Sequence, residues 1–131
     1  MVIDTSAIVA VLCDEPEAEK FEQALIADPV RLVSAGTLLE AGIVIEAKLG
    51  EAGGGELDLW LHKLKAEIAP VTDEQVTLAR DAFRRFGKGR SKAGLNFGDC
   101  FAYALAVERG EPLLFKGDDF AKTDATPAVR K

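Results

Sequence analysis

Five acidic residues stand where apolar sequence meets a boundary. Asp4 ends the opening run MVI, Glu40 interrupts LLEAGIVIE, Asp99 lies inside NFGDCFAYALA, and Asp118 and Asp119 follow EPLLFKG. Singly, each has an ordinary reading. Asp4 caps the helix after it, Glu40 is a solvated helix acid, Asp99 sits where the helix dipole favours negative charge, and Asp118–Asp119 is a turn. Brought together, three or four carboxylates repel and do not all stay ionised without a cation. Mg²⁺ and Mn²⁺ prefer carboxylate oxygens and retain several waters, so the set points to an open metal site. Such a site suits phosphodiester hydrolysis: one ion acidifies a water, and a second, roughly 4 Å away, stabilises the leaving oxygen. No side-chain nucleophile is required. The single histidine, His62, falls on an amphipathic segment away from the acids, and no serine or cysteine stands in a triad-like setting.

A phosphodiester substrate also has to be held. The formal net charge is −6, which weighs against a nucleic-acid binder, but the charge is uneven. No acid lies between Asp81 and Asp99, while Arg84, Arg85, Lys88, Arg90 and Lys92 crowd into nine positions. The run passes from a helix end into a glycine-containing loop just before Asp99, so it is the expected contact for a phosphate backbone. The plainer alternative is a helix end whose basic residues suit the dipole.

These side chains need a scaffold that gathers them. MVID reads as a short buried strand, and TSAIVAVLCDEP as a turn entering a helix capped by Thr5 or Ser6. EPEAEKFEQALIAD has helical spacing, PVRLVSA is a second strand, and GTLLEAGIVIEAKLG is a helix closed by glycine. EAGGGE reads as a flexible loop before the amphipathic ELDLWLHKLKAE. IAPV is a third strand, and Thr72 with Gln75 has the spacing of a capping box opening a helix through VTLARDAFRRFG. GKGRSKAGLN is a loop, FGDCFAYALAVERG a helix and EPLLFKG a strand, with room for a last short strand in a loose tail. Strands alternating with helices predict an α/β domain of three layers, α/β/α, around a small, mainly parallel sheet. Ligands of such sheets gather beyond the carboxyl ends of the strands, where Asp4 falls.

At 131 residues the chain fits a single domain over 1–131, with 48% hydrophobic and 29% charged residues. No apolar run approaches the roughly 18–20 residues that span a bilayer, and the start lacks the pattern of a signal peptide. A cytoplasmic location is expected. Cys13 and Cys100 lie far apart without metal-ligand spacing and are expected to be free thiols.

MVIDTSAIVAVL, SAGTLLEAGIVIEAKLG, GLNFGDCFAYALA and PLLFKGDDF resemble, in order and spacing, the four acidic motifs of PIN-domain ribonucleases. Among these the chain is most similar to VapC toxins of bacterial toxin–antitoxin pairs. The resemblance implies a Mg²⁺-dependent endoribonuclease, with Mn²⁺ an alternative, often a homodimer and held inactive by a VapB-type antitoxin. It implies Asp4 for the first motif, Glu40 for the second and Asp99 for the third. For the fourth it implies Asp119, with Asp118 the alternative, although Phe115 and Lys116 replace a threonine and an asparagine common in relatives. Asp4 and Asp99 are then the expected metal ligands, with Glu40 and Asp119 beside them or positioning the attacking water. Thr5 or Ser6, and Thr37, are placed to orient a carboxylate or a water. The expected products carry 5′-phosphate and 3′-hydroxyl ends. Self-association is expected through the helices around Phe21 and Trp60.

Two other classes compete. A phosphoacceptor receiver domain needs two adjacent acids ending its first strand, whereas Asp4 is followed by Thr5 and Ser6. A catalytically silent PIN-like binding module is disfavoured by the intact Asp4, Glu40 and Asp99.

Overall fold

In the computed structural model, which describes residues 1–130, the elements run β1 (Val2–Ile3), α1 (Thr5–Leu12), α2 (Ala18–Ala27), β2 (Leu32–Ser34), α3 (Ala35–Leu49), α4 (Glu51–Leu64), β3 (Glu67–Ala69), α5 (Asp73–Phe86), α6 (Phe97–Arg109) and β4 (Leu113–Leu114). All strand pairs are parallel, in the order β3-β2-β1-β4. Val2 aligns with Leu32 and Leu113, and Ile3 with Leu114. Because neighbouring strand residues point to opposite faces, this register sorts the core into two halves. Val2, Leu32 and Leu113 pack with Ala82, Tyr103 and Leu105 of α5 and α6. Ile3, Val33 and Leu114 pack with Ile8, Phe21, Leu25, Ala41 and Leu57 of α1 to α4. The three-layer α/β/α expectation holds.

The local expectations fail in instructive places. EAGGGE is helical: α4 begins at Glu51, and the break lies at Gly50, whose φ of +75° is open to glycine. Gly53 explains why glycine stands inside this helix. A Cβ there would meet Leu49 Cβ at 2.7 Å and Ile45 Cγ2 at 3.0 Å, so its absence lets α4 close onto α3. The cap of α1 is Asp4, not Thr5 or Ser6. Thr72 caps α5 by accepting from the Gln75 N–H, but the Gln75 side chain donates to the Pro70 carbonyl and to Glu108 instead of closing a capping box. The reciprocal box forms at α6, between Asn96 and Asp99. The anticipated last strand is a single bridge, Leu113 to Pro127, after a 3-10 turn at Phe120–Lys122. The tail expected to be loose is held as far as residue 130: Ala128 and Val129 pack against the core, and Lys20 Nζ donates to the Arg130 carbonyl at 3.0 Å; residue 131 lies outside the described residues.

Both cysteines are free. Phe21 is buried in the core, and Trp60, partly buried, packs against it. Among the described residues no helix is long and apolar enough to cross a membrane.

Candidate active site

Central strand β1 runs into the N-terminus of α1 with one residue between them, Asp4. Its extended backbone and short acceptor side chain make it the N-cap: Oδ2 accepts from the Ser6 N–H at 3.0 Å and from Ser6 Oγ at 2.7 Å. Ser6 Oγ in turn accepts from the Lys116 N–H at 2.9 Å, tying the end of β4 to the end of β1. Asp4 is only 2% exposed, and its second oxygen, Oδ1, is buried without a hydrogen-bond partner. Burial, with smaller contributions from the charges of Asp99 and Glu40, pushes this carboxyl up to about 7 against the Ser6 hydrogen bonds.

Glu40 reaches the same crevice from α3. Its Oε1 accepts from Thr5 Oγ1 at 2.5 Å, and its carboxyl lies against Gly98 of α6, where a Cβ would overlap it. Asp99 enters from the first turn of α6. Its Oδ2 accepts from the Asn96 N–H at 3.0 Å while Asn96 Oδ1 accepts from the Asp99 N–H at 2.9 Å, which fixes the carboxyl at the helix start. Burial first, then the charges of Asp119 and Glu40, raises Asp99 to about 6. Asp119 is exposed and precedes the 3-10 turn without capping it. Asp118, also exposed, stands beside it.

Asp4, Glu40, Asp99 and Asp119 therefore share one electrostatic neighbourhood at the carboxyl ends of β1 and β4. Among the described residues, no group of three His, Cys, Asp or Glu side chains is placed to hold a metal ion. A cation here would take one or two carboxylate ligands and keep several of its own waters. The donor chemistry fits such an ion as well: hard carboxylate oxygens, one of them buried and unsatisfied, on carboxyls whose mutual repulsion a positive charge relieves. Thr37 Oγ1, in the first turn of α3, is likewise buried without a partner.

The basic run divides. Arg84 and Arg85 close α5, and Lys88, Arg90 and Lys92 are exposed in the loop leading to α6. Arg85 is engaged: it donates to Asp81, Asp124 and Tyr103 Oη, and its guanidinium lies 4.7 Å from the Phe86 ring centroid. Arg84 stands 3.8 Å from Asp81. His62 lies near the end of α4, apart from the acids.

Sequence reasoning did not find Gly98, whose signal is steric and appears only when α3 and α6 meet. Nor did it find the Ser6–Lys116 tie, which spans 110 residues. The Asn96–Asp99 box was legible in principle from the N-x-x-D spacing.

The PIN domain family model matches residues 1–126. The chain is 58% identical to Ribonuclease VapC30 of Mycobacterium tuberculosis (strain ATCC 25618 / H37Rv), over 98% of its own length and 99% of the relative's. It is also 58% identical to Ribonuclease VapC of Mycolicibacterium smegmatis, over 95% and 96% of the two chains. Among solved structures it is similar to Mycobacterium tuberculosis VapC20, described as a sarcin-ricin loop cleaving toxin, with a TM-score of 0.80 at 17% identity over 99% and 98% of the chains. A VapBC2 structure from Rickettsia felis, bound to a promoter DNA fragment, matches with a TM-score of 0.71 at 16% identity over 96% and 94%.

Proposed function

The chain belongs to the PIN-domain family and, within it, to the VapC ribonucleases, and from that premise we propose that it is a divalent-cation-dependent endoribonuclease, the toxin of a VapBC pair. The observation that carries the cation is the unsatisfied Oδ1 of Asp4, buried at the end of the central strand beside two other carboxylates. Asp4 and Asp99 would hold Mg²⁺ or Mn²⁺, with Glu40 and Asp119 next to them. Bound there, the ion supplies Lewis acidity that makes a water a competent nucleophile and offsets charge on the leaving oxygen.

The chain's own groups do the positioning. Ser6 holds one oxygen of Asp4 and leaves the other buried without a partner. Thr5 and Gly98 fix Glu40 from two sides, which suits it to orient a water or take its proton. Lys88, Arg90 and Lys92 lie on the loop that delivers Asp99 and are free to contact phosphates, whereas the commitment of Arg85 to Asp81, Asp124 and Tyr103 assigns it to the fold. An antitoxin of VapB type would silence the site by setting a basic side chain among the same carboxylates. A cytoplasmic location and a homodimer complete this reading.

The test is cleavage of a mixed-sequence RNA by purified, partner-free protein with Mg²⁺ or Mn²⁺ and with EDTA, alongside Asp99→Asn. Cutting that needs the ion and the aspartate, and that leaves 5′-phosphate and 3′-hydroxyl ends, supports the proposal. Products with 2′,3′-cyclic phosphate would contradict attack by water. Folded protein that cuts with neither ion would favour a silent binding module.

A further inference from the structure

The backbone ladder between β4 and β1 closes with the Asp4 N–H donating to the Leu114 carbonyl at 3.0 Å. One more link follows, and a side chain makes it: the Lys116 N–H donates to Ser6 Oγ at 2.9 Å. A serine hydroxyl carries a single proton, and an amide nitrogen cannot accept it. With Asp4 ionised, that proton goes to Oδ2, 2.7 Å away. Together with the Ser6 N–H, Oδ2 then has two donors, while Oδ1 has none. The place of the Lys116 backbone thus bears on which Asp4 oxygen is left for a cation.

Lys116 lies two residues past the end of β4, and Gly117, at a φ of +99°, turns the chain directly after it. Its own side chain supplies a second attachment. Nζ stands 2.9 Å from Glu15 Oε1 and 3.3 Å from Glu17 Oε2, on the turn between α1 and α2. That turn is itself fixed: Asp14 takes a left-handed φ of +51°, the Glu15 N–H donates to the Ala10 carbonyl at 2.8 Å, and Pro16 separates the two acids. The other oxygen of Glu17 is buried without a hydrogen bond, and the Lys116 ammonium offsets its charge. One residue therefore grips α1 at both ends, by its amide at Ser6 and by its ammonium just past Leu12. Downstream, Phe120 is buried and its ring meets Phe115 at 5.3 Å between centroids. Asp119 lies between these two anchors.

We propose that Lys116 is a positioning residue for the acidic site: its ion pairs with Glu15 and Glu17 hold its backbone N–H on Ser6, which leaves Asp4 Oδ1 for the cation and sets the entry of the segment that carries Asp119. The inference rests on the ribonuclease reading and adds to it a residue that acts through Ser6 rather than on RNA. The rival role for an exposed lysine near such a site is a phosphate contact. The geometry favours the clamp, because a phosphate would have to draw the ammonium away from two carboxylates at once. Exposed ion pairs contribute little to folding, so the clamp can be removed without unfolding the chain.

The experiment compares Lys116→Met, Lys116→Arg, the pair Glu15→Gln/Glu17→Gln, and Lys116→Met combined with that pair. Three readouts need no cleavage: hydrogen exchange of the Lys116 amide by NMR, Mn²⁺ binding to RNA-free protein by calorimetry, and RNA binding by anisotropy in an Asp99→Asn background. Lys116→Met and the glutamine pair are each expected to speed exchange of that amide. Each should also weaken Mn²⁺ binding and lower kcat roughly 10-fold, the scale for groups that orient a metal ligand. The combination should be no worse than either alone, and Lys116→Arg should stay near wild type. RNA affinity and the metal-free melting temperature should change little. An amide equally protected in Lys116→Met, or effects of the two changes that simply add, would overturn the clamp. Weaker RNA binding in Lys116→Met, with no effect of the glutamine pair, would overturn it in favour of a phosphate contact. If wild-type protein binds Mn²⁺ but does not cut RNA, the ribonuclease reading fails, and amide exchange and Mn²⁺ affinity still decide on Lys116.

Discussion

An aspartate that is 2% exposed and raised to about 7 works against folding as pH climbs. Unfolded, Asp4 loses its proton near 3.8; folded, it holds the proton until about pH 7. Between those values the folded state binds more protons, so stability falls with rising pH, and above about pH 7 the whole penalty, on the order of a few kcal/mol, is present. In EDTA the melting temperature is therefore expected to drop from pH 5 to pH 8, and Asp4→Asn to flatten the drop. Mg²⁺ at pH 8 should raise the melting temperature of wild type but not of Asp4→Asn. Equal slopes in both proteins would mean that Asp4 does not carry the pH dependence, and an equal Mg²⁺ effect in both that Asp4 is not the cation's seat. Asp4 was legible in the sequence because a charge ending an apolar strand demands an explanation, and Glu40 and Asp99 for the same reason. The donors that hold the acids were less so. Ser6 looked like a cap, yet it serves Asp4 and the Lys116 backbone at once, a role set by tertiary approach.

Strand–helix alternation was enough to predict the three layers, since each β-to-α passage carried its own apolar pattern and breaker. α4 was the exception. Three consecutive glycines signal a loop on propensity alone, and the reason they are helical is packing against α3, which no local signal contains. The three are not equivalent, and this can be measured. A Cβ at Gly55 would meet nothing within 4 Å, so Gly55→Ala should stabilise the protein by roughly 0.5–1 kcal/mol in denaturant unfolding. At Gly53 the methyl would press on Leu49 and Ile45, and Gly53→Ala should destabilise by roughly 1–3 kcal/mol. Equal effects at the two sites would show that α4 does not lean on α3 as described. Gly98→Ala tests the other helix crossing: a methyl there must displace the Glu40 carboxyl, so RNA cleavage is expected to fall at least 10-fold while the melting temperature changes little. Retained cleavage would remove Glu40 from the working geometry.

Across the whole molecule, net acidity and local positive charge are kept apart in space. The carboxylates gather at the carboxyl ends of β1 and β4, while Lys88, Arg90 and Lys92 stand exposed on the loop before α6. A polyanionic substrate approaching a −6 chain is drawn to that exposed positive loop, so the loop should set both its orientation and its salt dependence. Each phosphate neutralised on a single strand contributes about 0.7 to the slope of log K against log salt. Replacing Lys88, Arg90 and Lys92 together by alanine, in an Asp99→Asn background that cannot cut, should make that slope shallower by about 2 if all three contact phosphates. Arg85→Ala should behave in the opposite way. Its guanidinium ties α5 to Tyr103 and Asp124, so the melting temperature should fall while the slope stays put. Sequence alone placed the five cations in one run and had no means to divide them, because two of the three partners that occupy Arg85, Tyr103 and Asp124, come from α6 and the C-terminal segment. A slope that responds to Arg85 and ignores the loop would move the RNA path from the mouth of the crevice to the α5–C-terminal face.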